Sequence, residues 1–248
     1  MFKLICRPRR MIFTFFLAIF LCLFILGSFF FKIYRVSHSS MSNTLADGDR
    51  VLVKIFRIGE ISRNDILIFA HAGNRYIKRC VAVAGDTVQI TDWKVSVNSH
   101  APEPFSTIRL TDAYNGSIPT NSNQDSGQLF DLSVFQEYHR YWNLKNFGPY
   151  IVPKRGLVIK LDEANIKLYS SLVKREIGES ALQKLIARGT KNYRFREDYF
   201  FMVGDNRPRS TDSRSFGGIK KEQVIGKVIY LLYRKEQKIE SGQMAINK

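Results

Sequence analysis

Three short stretches concentrate residues able to do chemistry. Ser37-His38-Ser39-Ser40-Met41-Ser42-Asn43-Thr44-Leu45 supplies hydroxyls that a neighbouring base can turn into nucleophiles. The same stretch also reads as a polar spacer. Tyr76-Ile77-Lys78-Arg79-Cys80-Val81 reads as a strand, and its alternation sends Tyr76, Lys78 and Cys80 to one face and Ile77, Arg79 and Val81 to the other. One of the two basic residues must then face the interior or a cleft, unless this is an edge strand with both solvated. The third stretch, Gly204 to Gly217, follows the apolar run Tyr199–Val203 and mixes Asp with Arg, which suits a hydrogen-bonded scaffold as well as a surface loop. It lacks the Gly-Lys-Ser/Thr ending of a phosphate-binding loop.

These stretches need elements to carry them. The chain has 248 residues, enough for one large domain or two small ones, and a formal charge of +16. That excess suits nucleic acid or an anionic membrane surface. Residues 11–31 decide for the membrane: they form an uncharged, apolar stretch long enough, at about 1.5 Å per residue, to cross a hydrocarbon core of roughly 30 Å. A cleaved signal peptide would be shorter and end in small residues, whereas Phe29, Phe30 and Phe31 stand at its exit. The reading is one uncleaved anchor (11–31) after a cytoplasmic N-terminus (1–10), with the rest outside. Nothing in the sequence marks a nucleic-acid module. Cys6, Cys22 and Cys80 have neither disulfide-framework nor metal-ligand spacing, so no metal or other cofactor is expected.

Beyond the anchor, short apolar runs separated by Gly-Asp and Gly-Asn turns predict strands at Val51–Phe56, Asp65–Ala70, Tyr76–Ala84 and Val224–Tyr233, with a hairpin of Thr87–Ile90 and Lys94–Val97. The fold class is mostly β: antiparallel sheets closed into a sandwich or barrel. Residues 99–196 change character. Pro102, Pro104 and the polar run 119–127 precede a helix at Asp162–Glu176, capped by Asp162 and stopped by Gly178, and a second helix at Ser180–Arg188. The chain therefore divides into β segments at 32–98 and 197–235, an inserted α+β subdomain at 99–196, and a polar tail at 236–248.

In order and spacing, the three stretches resemble the type I signal peptidases, membrane serine proteases with a Ser–Lys dyad. Ser40-Met41 with Thr44-Leu45 and Gly48-Asp49 matches the nucleophile box, and Tyr76-Ile77-Lys78-Arg79 with Gly85-Asp86 the lysine box. Gly204-Asp205-Asn206-Arg207, Ser210, Asp212-Ser213-Arg214 and Gly217 match the third signature. The similarity covers roughly residues 10–98 and 198–233.

The resemblance implies a signal-peptidase-like β fold. Ser40 would be the nucleophile and Lys78 the base, neutral through burial. Ser210 would hydrogen-bond the Lys78 amine, while Asp205, Asp212 and Arg214, with Arg79, would hold the loop. Met41, Leu45, Tyr76 and Ile77 would line one substrate pocket, with Val36 and Val51 bordering the other. Substrates would be signal-peptide-bearing precursors cut after Ala-X-Ala, at a bacterial inner membrane whose lipid the enzyme contacts, with the catalytic part on the periplasmic side. Departures are His38 two residues before Ser40, Asn43 for the usual Pro, and Pro208-Arg209. His38 is the candidate oxyanion donor, with the Ser40 N–H as the alternative. A same-fold protease for a specialised client, or an impaired binding protein, is the competing reading.

Overall fold

The computed structural model describes residues 8–55, 58–99, 142–189 and 192–234. The Pro102–Pro104 opening, the polar run 119–127 and the tail 236–248 lie outside the described residues.

Helix α1 (Pro8–Phe30) takes up most of the uncharged stretch. The side chains at 8–11, 22–26 and 28 are not described, and among the described residues no helix is long and apolar enough to cross a membrane. Those at 12–21, including Ile12, Phe13, Phe16 and Phe20, are exposed, as is Phe29. No linker follows. Strand β1 (Phe31–Arg35) begins at once and pairs in register with β2 (Arg50–Lys54), Phe31 opposite Lys54 and Arg35 opposite Arg50.

The chain continues through β3 (Ile66–His71), β4 (Asn74–Ala82), β5 (Thr87–Thr91) and β6 (Lys94–Val97). Next come β7 (Phe147–Ile151), β8 (Val158–Lys160), α2 (Glu163–Ile177) and α3 (Glu179–Ala187). β9 (Asn192–Arg194), β10 (Tyr199–Val203), the short α4 (Ser213–Phe216), β11 (Ile219–Lys220) and β12 (Val224–Tyr233) complete it. Every described pairing is antiparallel. Seven strands form one sheet in the order β1-β2-β12-β3-β4-β10-β11, and two smaller sheets run β6-β5-β7 and β8-β9. The order is linear, and no described pairing joins β1 to β11, so the large sheet is open rather than a closed barrel.

Local chemistry explains the boundaries. The β5–β6 hairpin turns on Asp92 and Trp93, both at positive φ (50° and 66°), the twist that suits a two-residue hairpin loop. Asp162 caps α2 by accepting from the Asn165 N–H at 2.9 Å, and Gly178 ends it at φ 83°. The β6-β5-β7 sheet joins strands from both sides of residue 99. One core cluster likewise mixes Val81, Ala82 and Phe201 of the large sheet with Tyr150, Tyr169, Leu172 and Leu182. A second cluster, with Val36, Met41, Leu45, Val51, Val53 and Ile66, underlies the other end of that sheet.

The alternation argument for β4 needs correcting. Both basic residues are buried, Lys78 at 3% exposure and Arg79 at 0%. β4 is an interior strand with β3 on one side and β10 on the other, and both of its faces are covered from Lys78 onward. The edge-strand alternative is thereby excluded.

Candidate active site

Ser40 stands on a single 3-10 turn (Ser39–Met41) just after β1. Met41 and Leu45, both fully buried, pin the turn into the core, and the Val36 N–H donates to Asp49 O at 2.8 Å to close the loop behind it. The turn leaves its first N–H groups, Ser40's included, without partners inside it. A residue far along the chain completes the support. The Asn206 N–H donates to Ser40 O at 3.0 Å, and its side-chain amide donates to Ser39 O (2.9 Å) and Ser42 Oγ (3.0 Å).

Lys78 meets this serine from β4. Its Nζ lies 2.6 Å from Ser40 Oγ and donates to Ile77 O at 3.0 Å, with the Tyr76 ring centroid 5.7 Å away. Burial is the main reason its pKa falls to about 8; Asp212 and Asp205 pull upward and Arg214 downward, without reversing the result. No carboxylate ion-pairs with the amine among the described residues.

Arg79 lives differently. Its Nε and Nη2 reach Asp205 Oδ1 and Oδ2 at 2.9 and 2.7 Å, a two-pronged pair in which both side chains are shut off from solvent. Nη1 donates to Asn64 O at 3.0 Å. Asp205 in turn accepts from Thr44 Oγ1 at 2.5 Å, and its carbonyl accepts from Asn43 Nδ2 at 2.9 Å. The pair thus ties β4 to both the nucleophile turn and the third signature.

The rest of that signature is an enclosed polar knot rather than a surface loop: Asp205, Ser210, Asp212, Ser213 and Arg214 are all buried. Asp212 accepts from Arg214 Nε and Nη2 (both 2.8 Å), Ser210 Oγ (2.6 Å) and the Gly204 N–H (3.0 Å). Burial alone would raise the Asp212 carboxyl, but the Arg214 charge and these donors outweigh it and hold the pKa below its ordinary value. The expected Ser210–Lys78 bond is not among the described hydrogen bonds: Lys78 Nζ bonds Ser40 Oγ and Ile77 O, and Ser210 donates its one hydroxyl proton to Asp212 while its lone pairs stay available as acceptors. Gly204 must lack a side chain, because a Cβ would collide with Ser210 Oγ and stand 2.6 Å from Ser40 O.

The remaining candidates separate. Met41, Leu45 and Val51 are fully enclosed and Val36 nearly so; Ile77 packs beside them, whereas Tyr76 lies on the opposite face of β4 with Phe69 and Phe216. Only Tyr76 and Ile77 of the six keep appreciable surface. The His38 ring is exposed and makes no hydrogen bond among the described residues, while its backbone N–H donates to Asp47 Oδ1 at 2.9 Å. Asn43 and Asn206 were not singled out as site residues. Asn43 looked like a departure, yet its amide makes a bond that a proline could not. Among the described residues no group of His, Cys, Asp and Glu could hold a metal ion.

Signal peptidase IB of Staphylococcus aureus is 27% identical over 214 residues, covering 85% of this chain and 82% of its own. Signal peptidase I of Aquifex aeolicus is 25% identical over 234 residues, covering 91% and 84%. A crystal structure of a signal peptidase I from Enterococcus faecalis covers 68% of this chain and 97% of its own at 22% identity, with a TM-score of 0.32, too loose an overlay to bear on the fold. The family model described as "Signal peptidase, peptidase S26" matches residues 9–233, nearly the whole length, and the chain belongs to that family.

Proposed function

We propose that Ser40 is the nucleophile and Lys78 the general base with which this signal peptidase, a serine endopeptidase, removes N-terminal signal peptides. The observation that carries the assignment is the 2.6 Å approach of a buried lysine amine to a serine hydroxyl. With Lys78 neutral, the hydroxyl donates to the amine lone pair, and Ser40 Oγ attacks the scissile carbonyl carbon as its proton passes to Nζ. The Ser40 N–H, unpartnered within its turn, is the donor available to the developing oxyanion. Collapse of the tetrahedral intermediate returns that proton to the leaving amine and leaves the signal peptide esterified to Ser40. Lys78 then takes a proton from water, which hydrolyses the ester. Burial rather than a carboxylate partner makes this possible, since a pKa of about 8 leaves an appreciable neutral fraction near pH 7.

Ile77, which keeps part of its surface and packs with enclosed Met41 and Leu45, forms the wall of the substrate cleft, while Tyr76 borders Lys78 from the other face of β4. A wall with this little open apolar surface favours small residues before the cut, as in Ala-X-Ala. The chain is anchored by residues 11–31, with the N-terminus inside and the β sheets outside the cytoplasmic membrane of a bacterium. In support, the described apolar side chains at 12–21 of α1 are exposed and β1 follows the helix directly, which keeps the edge of the sheet at the bilayer surface. Segments 32–98 and 197–235 act as the catalytic body and 99–196 as an insertion upon it.

Detergent-solubilised protein should cut a precursor bearing an Ala-X-Ala site directly after the second alanine, as located by mass spectrometry. Absence of that cut, or a cut that persists in Ser40→Ala, overturns the reading.

A further inference from the structure

Helix α2, from the segment outside all three signatures, reaches the catalytic loop through one side chain. Arg175 Nη2 donates to Phe216 O at 3.1 Å while Nε donates to Ser171 O of its own helix at 3.2 Å. Phe216 closes α4, whose last carbonyls have no partner within the helix and carry its partial negative charge. A guanidinium placed there both satisfies a carbonyl and answers that charge. Nothing else among the described ion pairs claims Arg175, and burial lowers its pKa, so the contact is held against a desolvation cost. The fit is tight: at Gly217 (φ 80°) a Cβ would meet Leu172 Cδ2 at 3.2 Å and Arg175 Nη2 at 3.5 Å.

Two routes lead from Phe216 to the dyad. Its backbone ends the helix that Asp212 caps, and Asp212 accepts from Ser210 Oγ and the Gly204 N–H, fixing a glycine that lies so close to the Ser40 carbonyl that a Cβ would stand 2.6 Å from it. Its ring packs on Tyr76 (centroids 5.6 Å apart) and stacks on His71 (4.4 Å), and the Tyr76 ring lies 5.7 Å from Lys78 Nζ. A second strut crosses the same gap, with Arg214 Nη1 donating to Leu144 O at 2.7 Å.

We propose that Arg175 is a positioning residue for the Ser40–Lys78 reaction, and that the segment carrying α2 braces the catalytic loop through it. The proposal rests on the dyad assignment above. Positional error of about 1 Å at a reacting pair costs up to about 10²-fold in rate, so even partial loosening of Phe216 is measurable.

The test uses the purified full chain and a precursor peptide, with kcat and KM measured for Arg175→Met, Arg175→Lys and Ser40→Ala. The expected result is a kcat lower by roughly 10-fold in Arg175→Met with KM within about twofold, and recovery by Arg175→Lys to within about threefold, since an ammonium restores donor and charge. Circular dichroism establishes that each variant is folded; if Arg175→Met is not, Arg175→Gln takes its place under the same criteria. A folded variant with kcat within about twofold of the parent overturns the proposal, as does a loss confined to KM or an Arg175→Lys as impaired as Arg175→Met. Ser40→Ala separates the two levels. If it retains activity the dyad itself is wrong, whereas an inactive Ser40→Ala beside an unimpaired Arg175→Met removes the brace alone.

Discussion

Lys78 and Arg79 are neighbours on one strand, both buried and both basic, and the two sides of the strand treat them in opposite ways. Arg79 faces the carboxylate of Asp205 and meets both of its oxygens with hydrogen bonds. Lys78 faces a serine hydroxyl and a backbone carbonyl, and burial without an ion-pair partner lowers its pKa to about 8. The cost of desolvating a charge is several kcal/mol in either case. Where a carboxylate offsets it, the charge becomes scaffold; where none does, the proton becomes labile and available for chemistry. The choice of residue follows, because a guanidinium cannot shed its proton at any working pH and an ammonium can.

The strongest way to break this contrast is to delete the reactive side. Ser40→Ala and Lys78→Met should each lower single-turnover precursor cleavage by at least about 10⁴-fold, as loss of a nucleophile or its base does elsewhere. Lys78→Met should leave thermal stability equal or higher, because it removes a buried amine and keeps its volume. More than about 1% of parental rate in either variant refutes the dyad.

Deleting the scaffold side should reverse the pattern. Arg79→Met strands a buried carboxylate and should cost about 3–5 kcal/mol in urea unfolding. A cost under about 1 kcal/mol would show that the pair is not what ties β4 to the third signature. The pH profile sharpens the comparison without mutation. Protonated Lys78 cannot act as base, so kcat/KM should fall about tenfold per pH unit below the pKa of about 8 and level off above it. An acid limb centred near the ordinary lysine value would mean that burial does not tune this amine.

The smallest effect concerns His38, which adopts φ 72° and ψ 163°, a backbone region suited to glycine. His38→Gly should raise stability by about 1 kcal/mol, seen as a higher melting temperature, and leave the acylation rate within about threefold. A loss of roughly tenfold or more would instead assign the imidazole to the oxyanion.

Much of this was legible in the chain itself. Strands β2 to β6, β10 and β12 and helices α2 and α3 follow from local patterning, while β1, β7, β8 and β9 are not read from it: Asp162 and Gly178 bracket α2 because capping is decided within four residues, and the 92–93 turn closes β5 on β6 for an equally local reason. The motif order brought Ser40, Lys78 and the third signature to notice together. Sequence alternation failed at β4, because period two tells which residues share a face and nothing about what covers each face. Only the pairing of β4 with both β3 and β10 buries Lys78 and Arg79 at once. The partners of those two charges are likewise a tertiary matter. Asp205 lies 126 residues from Arg79, and Asn43 could be recognised as a support of Asp205 only once the loops met. Composition and local spacing determined which groups were present. Their protonation and direction of hydrogen bonding were decided by long-range packing, because desolvation and charge pairing depend on neighbours that the chain brings together only on folding.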